Sequence, residues 1–303
     1  NKYQVLSSLK GEFESQSRGD SSFWLILIGQ IIIVSITLFI LVSFLLLFRK
    51  DIYSDNTKFT FIFFLIVFVV LSTSFFLSFE IVSIYALPFC MLPVIIRTFY
   101  DTRVALFTHL VNVLILSFFS HDRYEFVLIQ MIAGIVSIFS IVSTRKRSQI
   151  FLASALIFLV YSLSYIGVNL MQEGGIDGMN WLDFVWFGSS ALLTLFTYPL
   201  IFIFEKLFGF LSDVSLFELC DMNSPLLREL SIKAPGTFQH SLQVVNLAEE
   251  VTYQIGGNAL LVRTGALYHD IGKIDMPSFF IENQRSGINP HDELGYEESA
   301  SII

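Results

Sequence analysis

Charged residues are scarce in this sequence, since Asp, Glu, Lys and Arg make up only 15% of the 303 residues. An ordinary soluble protein has roughly 25% of these residues. The net charge is −8, and the few Lys and Arg residues form no basic stripe. The sequence therefore argues against a partner that is a nucleic acid polymer. Hydrophobic residues make up 54% of the chain, which favours a protein largely embedded in a lipid bilayer.

Cysteines are almost absent as well. Cys90 lies inside an apolar run and Cys220 in a polar stretch, so the two form neither a disulfide framework nor a paired metal motif. A cleavable signal pattern is also lacking, because residues 1–22 are polar and contain no apolar core before a small-residue site. We expect residues 1–22 to be an extracellular juxtamembrane tail. Because Asn1 is not a methionine and Ile303 falls within a helical pattern, we expect the chain to be truncated at both ends.

Long uncharged apolar runs fill the first two thirds of the chain. Most are close to the roughly 20 residues that span a bilayer as a helix. The seven runs are 23–48, 59–79, 81–96, 104–120, 126–144, 151–172 and 184–204. The sequence predicts an all-α fold, with a polytopic bundle of seven transmembrane helices in residues 23–206. A helical coupler at 207–233 and a cytoplasmic helical domain at 234–303 are predicted to follow.

The charged residues between these runs predict an orientation in the membrane. Basic residues gather after the first, third, fifth and seventh runs, whereas acidic residues mark the other loops. The basic residues are Arg49, Lys50, Lys58, Arg97, Arg103, Arg145, Lys146, Arg147 and Lys206, and the acidic loops carry Glu80, Asp122 beside a single Arg123, Glu173, Asp177 and Asp183. Because basic loops face the cytoplasm, the N-terminus is predicted outside and the C-terminus inside.

Two features within the apolar runs could carry function. Pro88 and Pro93 interrupt the third run, and His109 lies near the start of the fourth. A ligand cavity or a hinge that carries a signal is one interpretation. We favour a packed kink and a histidine at the membrane interface, since bundles tolerate both.

A His-Asp pair occurs three times, and its surroundings distinguish the copies. His121-Asp122 lies in a short polar loop, where a solvated turn is expected. His291-Asp292 follows Asn289-Pro290, which favours a turn or a helix start. His269-Asp270 follows a small apolar segment that would bury it, and Gly272 is expected to turn the backbone tightly and bring Lys273 close.

A second histidine is predicted to meet this pair. Pro235 to Thr237 predict a turn and an N-cap, followed by a helix over 238–255. His240 falls on the same apolar stripe as Leu247 and Val251. A lone histidine of this kind is usually a core residue, but His240, His269 and Asp270 from two neighbouring helices can converge on Fe, Mn or Zn. Lys273 would orient a phosphate, or else be a solvated surface lysine.

Several motifs in the last third of the chain resemble those of a known family. The motifs are Lys233-Ala-Pro-Gly-Thr-Phe-Gln-His240-Ser, Gly265-Ala-Leu-Tyr-His-Asp-Ile-Gly-Lys273, Phe280-Ile-Glu-Asn-Gln284 and Asn289-Pro-His-Asp292, preceded by Leu216-Phe-Glu-Leu219 and Asn223-Ser-Pro-Leu-Leu-Arg-Glu-Leu230. Together they resemble the HD hydrolase domain of the seven-transmembrane-HD receptors, in particular the PgpH-type membrane phosphodiesterases of bacteria. The last part of the chain would then be the N-terminal part of an HD phosphohydrolase domain.

The resemblance implies an activity and a set of site residues. The family hydrolyses cyclic di-AMP to the linear dinucleotide pApA, with two divalent metal ions for which Mn or Fe is expected. His240, His269 and Asp270 match metal ligands, Asp270 being the bridging carboxylate. Asp270 and Lys273 are assigned catalytic roles, and Lys273 and His291 substrate-side roles. Further family ligands would follow residue 303, so the site is expected to be incomplete and the fragment itself inactive.

The resemblance also implies a cellular location for the protein, and two alternative functions stay open. It implies a multi-pass protein of the bacterial cytoplasmic membrane, whose transmembrane part senses an extracellular or membrane ligand, and which could form a homodimer. A receptor or binding module without catalysis is one alternative. An HD hydrolase for another cyclic dinucleotide is a second, although Glu297 replaces the proline of the Gly-Tyr-Pro motif of cyclic di-GMP hydrolases.

Overall fold

The computed structural model describes residues 20–79, 82–140, 148–175, 179–284 and 289–302. These residues form helices and loops, and no strand occurs among them. The predicted all-α class is therefore confirmed. The chain divides into two compact units, the first ending at Phe208 and the second beginning at Gly209.

The first unit consists of apolar helices. They are α1 (Asp20–Phe48), α2 (Lys50–Tyr53), α3 (Asn56–Leu77), α4 (Met91–Phe99), α5 (Thr102–Leu116), α6 (Arg123–Ser140), α7 (Ser148–Glu173), α8 (Leu182–Thr194) and α9 (Thr197–Phe208). Its core is rich in aromatic side chains, of which Phe126, Tyr161 and Phe187 are completely buried. Much of the remaining apolar surface is exposed, as expected for helices that face lipid.

The number of membrane spans differs from the prediction. Five helical stretches in the described part of the chain are long and apolar enough to cross a membrane, and they match the first, second, fourth, fifth and sixth runs. α8 and α9 are bent by 40° at their junction and would make a sixth span if they count as one. The described residues thus contain five or six candidate membrane spans, and the count of seven is not confirmed.

The third run is not a continuous helix. It forms a 3₁₀ turn at Ile84–Ala86 and the nine-residue helix α4. Pro88 lacks a backbone N–H and cannot extend the first turn, so the two pieces stay separate. The Ser190 hydroxyl of α8 donates to the Leu87 carbonyl oxygen over 2.9 Å, which satisfies a polar group at the break. Phe89 and Cys90 are buried there, so the kink is packed inside the bundle.

His109 is buried in the bundle, and the expected position at the membrane interface is wrong. Because α5 begins at Thr102, His109 lies about two turns inside the helix. Its Nε2 atom donates a hydrogen bond to the Gln130 carbonyl oxygen of α6 at 2.9 Å. A Cβ atom at Gly134 would lie 1.9 Å from this Nε2, so the glycine is what lets the imidazole approach α6.

Among the described residues, two of the predicted basic loops meet each other, and several of the predicted acidic residues meet elsewhere in the first unit. Arg49 forms an ion pair with Asp101 over 2.5 Å, which joins the loops after the first and third runs. Acidic residues also line a polar cleft of about 600 Å³. Its lining includes His121, Asp122, Glu125, Glu173 and Asp183. His121 and Asp122 are exposed, as expected for a solvated turn, whereas residues 80, 145–147 and 177 lie outside the described residues.

The second unit is a set of shorter helices. They are α10 (Asp213–Leu219), α11 (Pro225–Lys233), α12 (Pro235–Gln254), α13 (Ala259–Tyr268) and α14 (Tyr296–Ile302), with 3₁₀ turns at Ile271–Ile274, Pro277–Phe279, Ile281–Asn283 and Pro290–Glu293. Leu227, Val245 and Leu267 are buried where α11, α12 and α13 meet. A neighbouring cluster of Leu230, Ala234 and Ile274 anchors the turn after α13 against α11.

The helix that carries His240 differs from its prediction in its start and its buried face. α12 begins at Pro235, so Thr237 is its third residue rather than its N-cap. The buried face comprises Thr237, Ser241 and Val245, whose small side chains allow close packing. Leu247 and Val251, on the stripe expected to be buried, are 73% and 60% exposed. Hydrophobic spacing alone therefore selected the wrong face of this helix.

Candidate metal centre

α12 and α13 bring one histidine each to the site. His240 lies in the second turn of α12, and His269 directly follows the last residue of α13. The centroids of the two imidazole rings are 5.7 Å apart. Both histidines are exposed, so the predicted burial of His240 and His269 is wrong. The two rings meet at the surface of the unit, where an incoming ligand can reach them.

The His269 ring is held by a backbone hydrogen bond. Its Nδ1 atom lies 2.8 Å from the Ala266 carbonyl oxygen, which can only accept a hydrogen bond. Nδ1 therefore carries the hydrogen, and Nε2 of the neutral ring offers a lone pair. A carbonyl that fixes the tautomer in this way is the common outer partner of a metal-binding histidine.

Asp270 completes a group of three potential ligands. One ligand atom each of His240, His269 and Asp270 can be chosen so that all three lie within 4.8 Å of one another. Asp270 Oδ2 is 3.4 Å from His269 Nε2, and the Asp270 side chain is 19% exposed. The sequence expectation that these three residues meet agrees with this geometry. Their roles as ligands stay a prediction.

Lys273 lies between two carboxylates. The 3₁₀ turn at Ile271–Ile274 places its Nζ atom 2.8 Å from Asp270 Oδ2 and 2.9 Å from Glu282 Oε1. Partial burial acts to lower the pKa of Lys273, but the hydrogen bonds to Asp270 and Glu282 outweigh it and raise the pKa above its ordinary value. Lys273 is thus a fixed ammonium beside Asp270, and the interpretation as a solvated surface lysine is wrong.

Gly272 does not act in the way that the sequence suggested. The turn that brings Lys273 towards Asp270 is present, but it is a 3₁₀ helix and Gly272 does not have a positive φ. A Cβ atom at this position would meet nothing within 4 Å. The position of Lys273 therefore follows from the helical turn rather than from the conformational freedom of the glycine.

His291 lies apart from the three-residue group. Its Nδ1 atom is 2.7 Å from the Ser299 hydroxyl, and its ring packs edge-on against Phe279 with a centroid distance of 5.0 Å. The Asn289 side chain accepts a hydrogen bond from the His291 backbone N–H. The geometry gives His291 local structural partners, and its substrate-side role stays a prediction.

Glu282 and Asn283 also belong to the site, although the sequence analysis gave them no role. Glu282 Oε1 accepts hydrogen bonds from Lys273 and from the Thr237 hydroxyl. Partial burial acts to raise the pKa of the Glu282 carboxyl, but these bonds outweigh it and hold the pKa below its ordinary value. The sequence held one indication that a distant residue caps this helix. Ala234, which directly precedes α12, has no side chain that can cap a helix.

The donor atoms fit a divalent transition-metal ion. Two imidazole nitrogens and one carboxylate are ligands that suit Fe, Mn or Zn. Three protein ligands leave further coordination positions for water or substrate, as in catalytic rather than structural metal sites. The chemistry of the group therefore agrees with a metal centre, whereas the number and identity of the ions do not follow from it.

Residues from both units match models of known protein families. Residues 24–212 match the family described as a 7TM receptor with intracellular HD hydrolase, and residues 237–302 match the HD domain. The cyclic-di-AMP phosphodiesterase PgpH of Listeria monocytogenes is 40% identical over 179 residues, which are 57% of this chain and 24% of that protein. The protein of the same name from Bacillus subtilis is 35% identical over 178 residues, which are 57% of this chain and 25% of that protein. The chain thus spans about a quarter of the length of these relatives.

Two solved structures are also similar in sequence. The crystal structure of the L. monocytogenes phosphodiesterase PgpH HD domain is 56% identical and covers 26% of this chain and 38% of that chain, with a TM-score of 0.26. The structure of that domain in complex with cyclic-di-AMP is 55% identical and covers 27% and 38%, with the same TM-score.

Proposed function

Because the chain belongs to the family of 7TM receptors with an intracellular HD hydrolase, we propose that it acts in a membrane-bound, metal-dependent phosphodiesterase that hydrolyses cyclic di-AMP to pApA. The observation that carries the proposal is the convergence of His240, His269 and Asp270 beside the Lys273 ammonium. The names of the relatives supply the substrate. The first unit would serve as the sensor or regulator of the hydrolase.

Each residue has a proposed task at this site. His240 and His269 would bind through neutral imidazole nitrogens, and Asp270 would bridge two divalent ions, with Mn or Fe expected. Bound ions of this kind lower the pKa of a shared water and stabilise negative charge that develops on phosphorus. Lys273 would hold a non-bridging phosphate oxygen through its ammonium group. His291 would contribute on the substrate side.

Turnover by the full-length native protein tests this proposal. The protein purified in detergent should convert cyclic di-AMP to pApA when Mn²⁺ or Fe²⁺ is supplied, and chelation should stop the reaction. Cyclic di-GMP under the same conditions serves as the matched comparison and should be hydrolysed much more slowly. Metal-replete protein that binds cyclic di-AMP without cleaving it would instead support a binding module.

The orientation of the first unit is a further part of the proposal. The alternation of charged loops puts residues 54 and 121 on opposite sides of the membrane, with 54 in the cytoplasm. His121→Cys should react with a membrane-impermeant maleimide in intact cells, whereas Ser54→Cys should react only after permeabilisation. Both positions are exposed, and Ser54→Cys leaves the loop charges unchanged. Labelling of residue 54 before permeabilisation would contradict the orientation; the parent protein, with Cys90 and Cys220, gives the background.

A further inference from the structure

Glu282 links the two halves of the proposed metal site. Its Oε1 atom lies 2.9 Å from Lys273 Nζ and accepts a second hydrogen bond, also of 2.9 Å, from Thr237 Oγ1. Lys273 follows Asp270 by three residues, and Thr237 precedes His240 by three residues on α12. One carboxylate thus contacts the segment that carries Asp270 and the helix that carries His240.

Asn283 holds this carboxylate in place by capping α12. Its Oδ1 atom accepts hydrogen bonds from the backbone N–H groups of Gly236 at 2.8 Å and Thr237 at 3.1 Å. Its Nδ2 atom donates to Thr237 Oγ1 at 2.8 Å. The first N–H groups of a helix have no partner inside the helix, and Ala234 cannot supply one. Asn283 therefore acts as a cap that comes from more than forty residues further along the chain.

Gly236 permits the close approach of the two segments. A Cβ atom at this position would lie 1.8 Å from the Glu282 carbonyl oxygen and 2.4 Å from its carbonyl carbon. These atoms belong to the backbone rather than to the end of a flexible side chain, so a larger residue at this position would require a shift of the chain itself. The Ile281–Asn283 turn is thus fixed against α12, and the position of Glu282 follows from that contact.

The position of Glu282 matters because Lys273 and a metal ion would need the same oxygen. Lys273 Nζ is 2.8 Å from Asp270 Oδ2, which is also the oxygen nearest to His269 Nε2. An ammonium that paired with Asp270 alone would compete with a cation for that carboxylate and repel it. A second carboxylate on the far side of the ammonium offers it an alternative partner and offsets its charge.

We propose, on the basis of the proposed function, that Glu282 is a positioning residue of the metal site. Glu282 holds the Lys273 ammonium so that Asp270 stays available to a divalent ion. Glu282 does not bind the ion in this arrangement. It acts through Lys273, and its effect on metal affinity should vanish when Lys273 loses its charge.

Titration of Mn²⁺ into the metal-free, full-length native protein tests this inference, with free Mn²⁺ measured by electron paramagnetic resonance. Glu282→Gln keeps an oxygen that can accept from Thr237 but loses the charge. We expect it to raise the Kd for Mn²⁺ about tenfold, in the range found for outer partners of metal ligands. Adding Lys273→Met should return the Kd to the wild-type value or below it. Glu250→Gln, on an exposed part of α12, is the matched control and should leave the Kd unchanged.

The outcomes separate this inference from the proposed function. An unchanged Kd in Glu282→Gln, with normal binding by the wild type, would overturn the inference alone. A raised Kd that Lys273→Met does not relieve would also overturn it, because Glu282 would then support the fold rather than control Lys273. A wild-type protein that binds no Mn²⁺ would overturn both proposals. The thermal unfolding midpoint of each variant checks that the second unit is folded.

Discussion

Replacing Asp270 by alanine should lower the turnover of cyclic di-AMP by about a thousand-fold or more, because the bridging carboxylate is the one ligand that two ions would share. Asp270 is also the centre of the group in this structure, since its Oδ2 atom is contacted by His269 and Lys273. Bound metal should fall together with activity. The measurements are metal content by mass spectrometry and the steady-state rate of pApA formation by the full-length protein.

Asp275→Ala is the matched control for this variant. Asp275 lies five residues further on at the end of the same 3₁₀ turn, is exposed, and is not part of the three-ligand group. It should retain its metal and its activity, which separates the loss of a ligand from the loss of any negative charge nearby. Full metal content together with full activity in Asp270→Ala would show that the assigned ligands are wrong.

Replacing Lys273 by alanine should separate catalysis from metal binding. The ammonium is a donor for phosphate in the proposed site and does not coordinate metal, so metal content should stay near the wild-type level. Loss of a charge-assisted hydrogen bond to the substrate should lower kcat/KM by about ten- to a hundred-fold. The measurement is kcat/KM for cyclic di-AMP at saturating Mn²⁺, with metal content determined on the same preparation.

Lys233→Ala is the control for the charge of Lys273. Lys233 is the exposed last residue of α11, and its Nζ atom lies 2.7 Å from Glu229 Oε1. Exposed ion pairs of this kind contribute little to the free energy of folding. Its removal should leave kcat/KM unchanged. Equal losses in Lys233→Ala and Lys273→Ala would point to a general effect of net charge, and the specific role of Lys273 would then be abandoned.

The extent of the membrane helices followed closely from the sequence. The runs predicted at 23–48 and 151–172 correspond to helical spans at Phe23–Phe48 and Ile150–Glu173. A helix in lipid must satisfy its backbone internally, so the length of an apolar run is a direct guide to the helix. The prediction of a continuous helix over the third run failed because Pro88 interrupts the hydrogen-bond ladder. Composition does not show how the chain continues beyond such a break.

The candidate site was predictable where its geometry is local. His269, Asp270 and Lys273 lie within five residues, and one helical turn is enough to bring the ammonium to the carboxylate. The pairing with His240 followed from the expectation of two adjacent helices. The burial of these groups was wrong, because spacing identifies apolar stripes on a helix but not the stripe that a neighbour covers.

The all-helical class, most of the long apolar helices and the residue types that can bind a metal follow from the sequence alone, since apolar length and donor chemistry are local properties. Packing between distant segments, by contrast, is what makes α12 bury Thr237 and Ser241, brings His109 to a backbone carbonyl on α6, and brings Glu282 and Asn283 to the start of α12. Each of these contacts joins residues at least twenty positions apart or depends on which face a neighbour covers. Helical periodicity reaches only a few residues along the chain, so long-range contacts of this kind are fixed by packing.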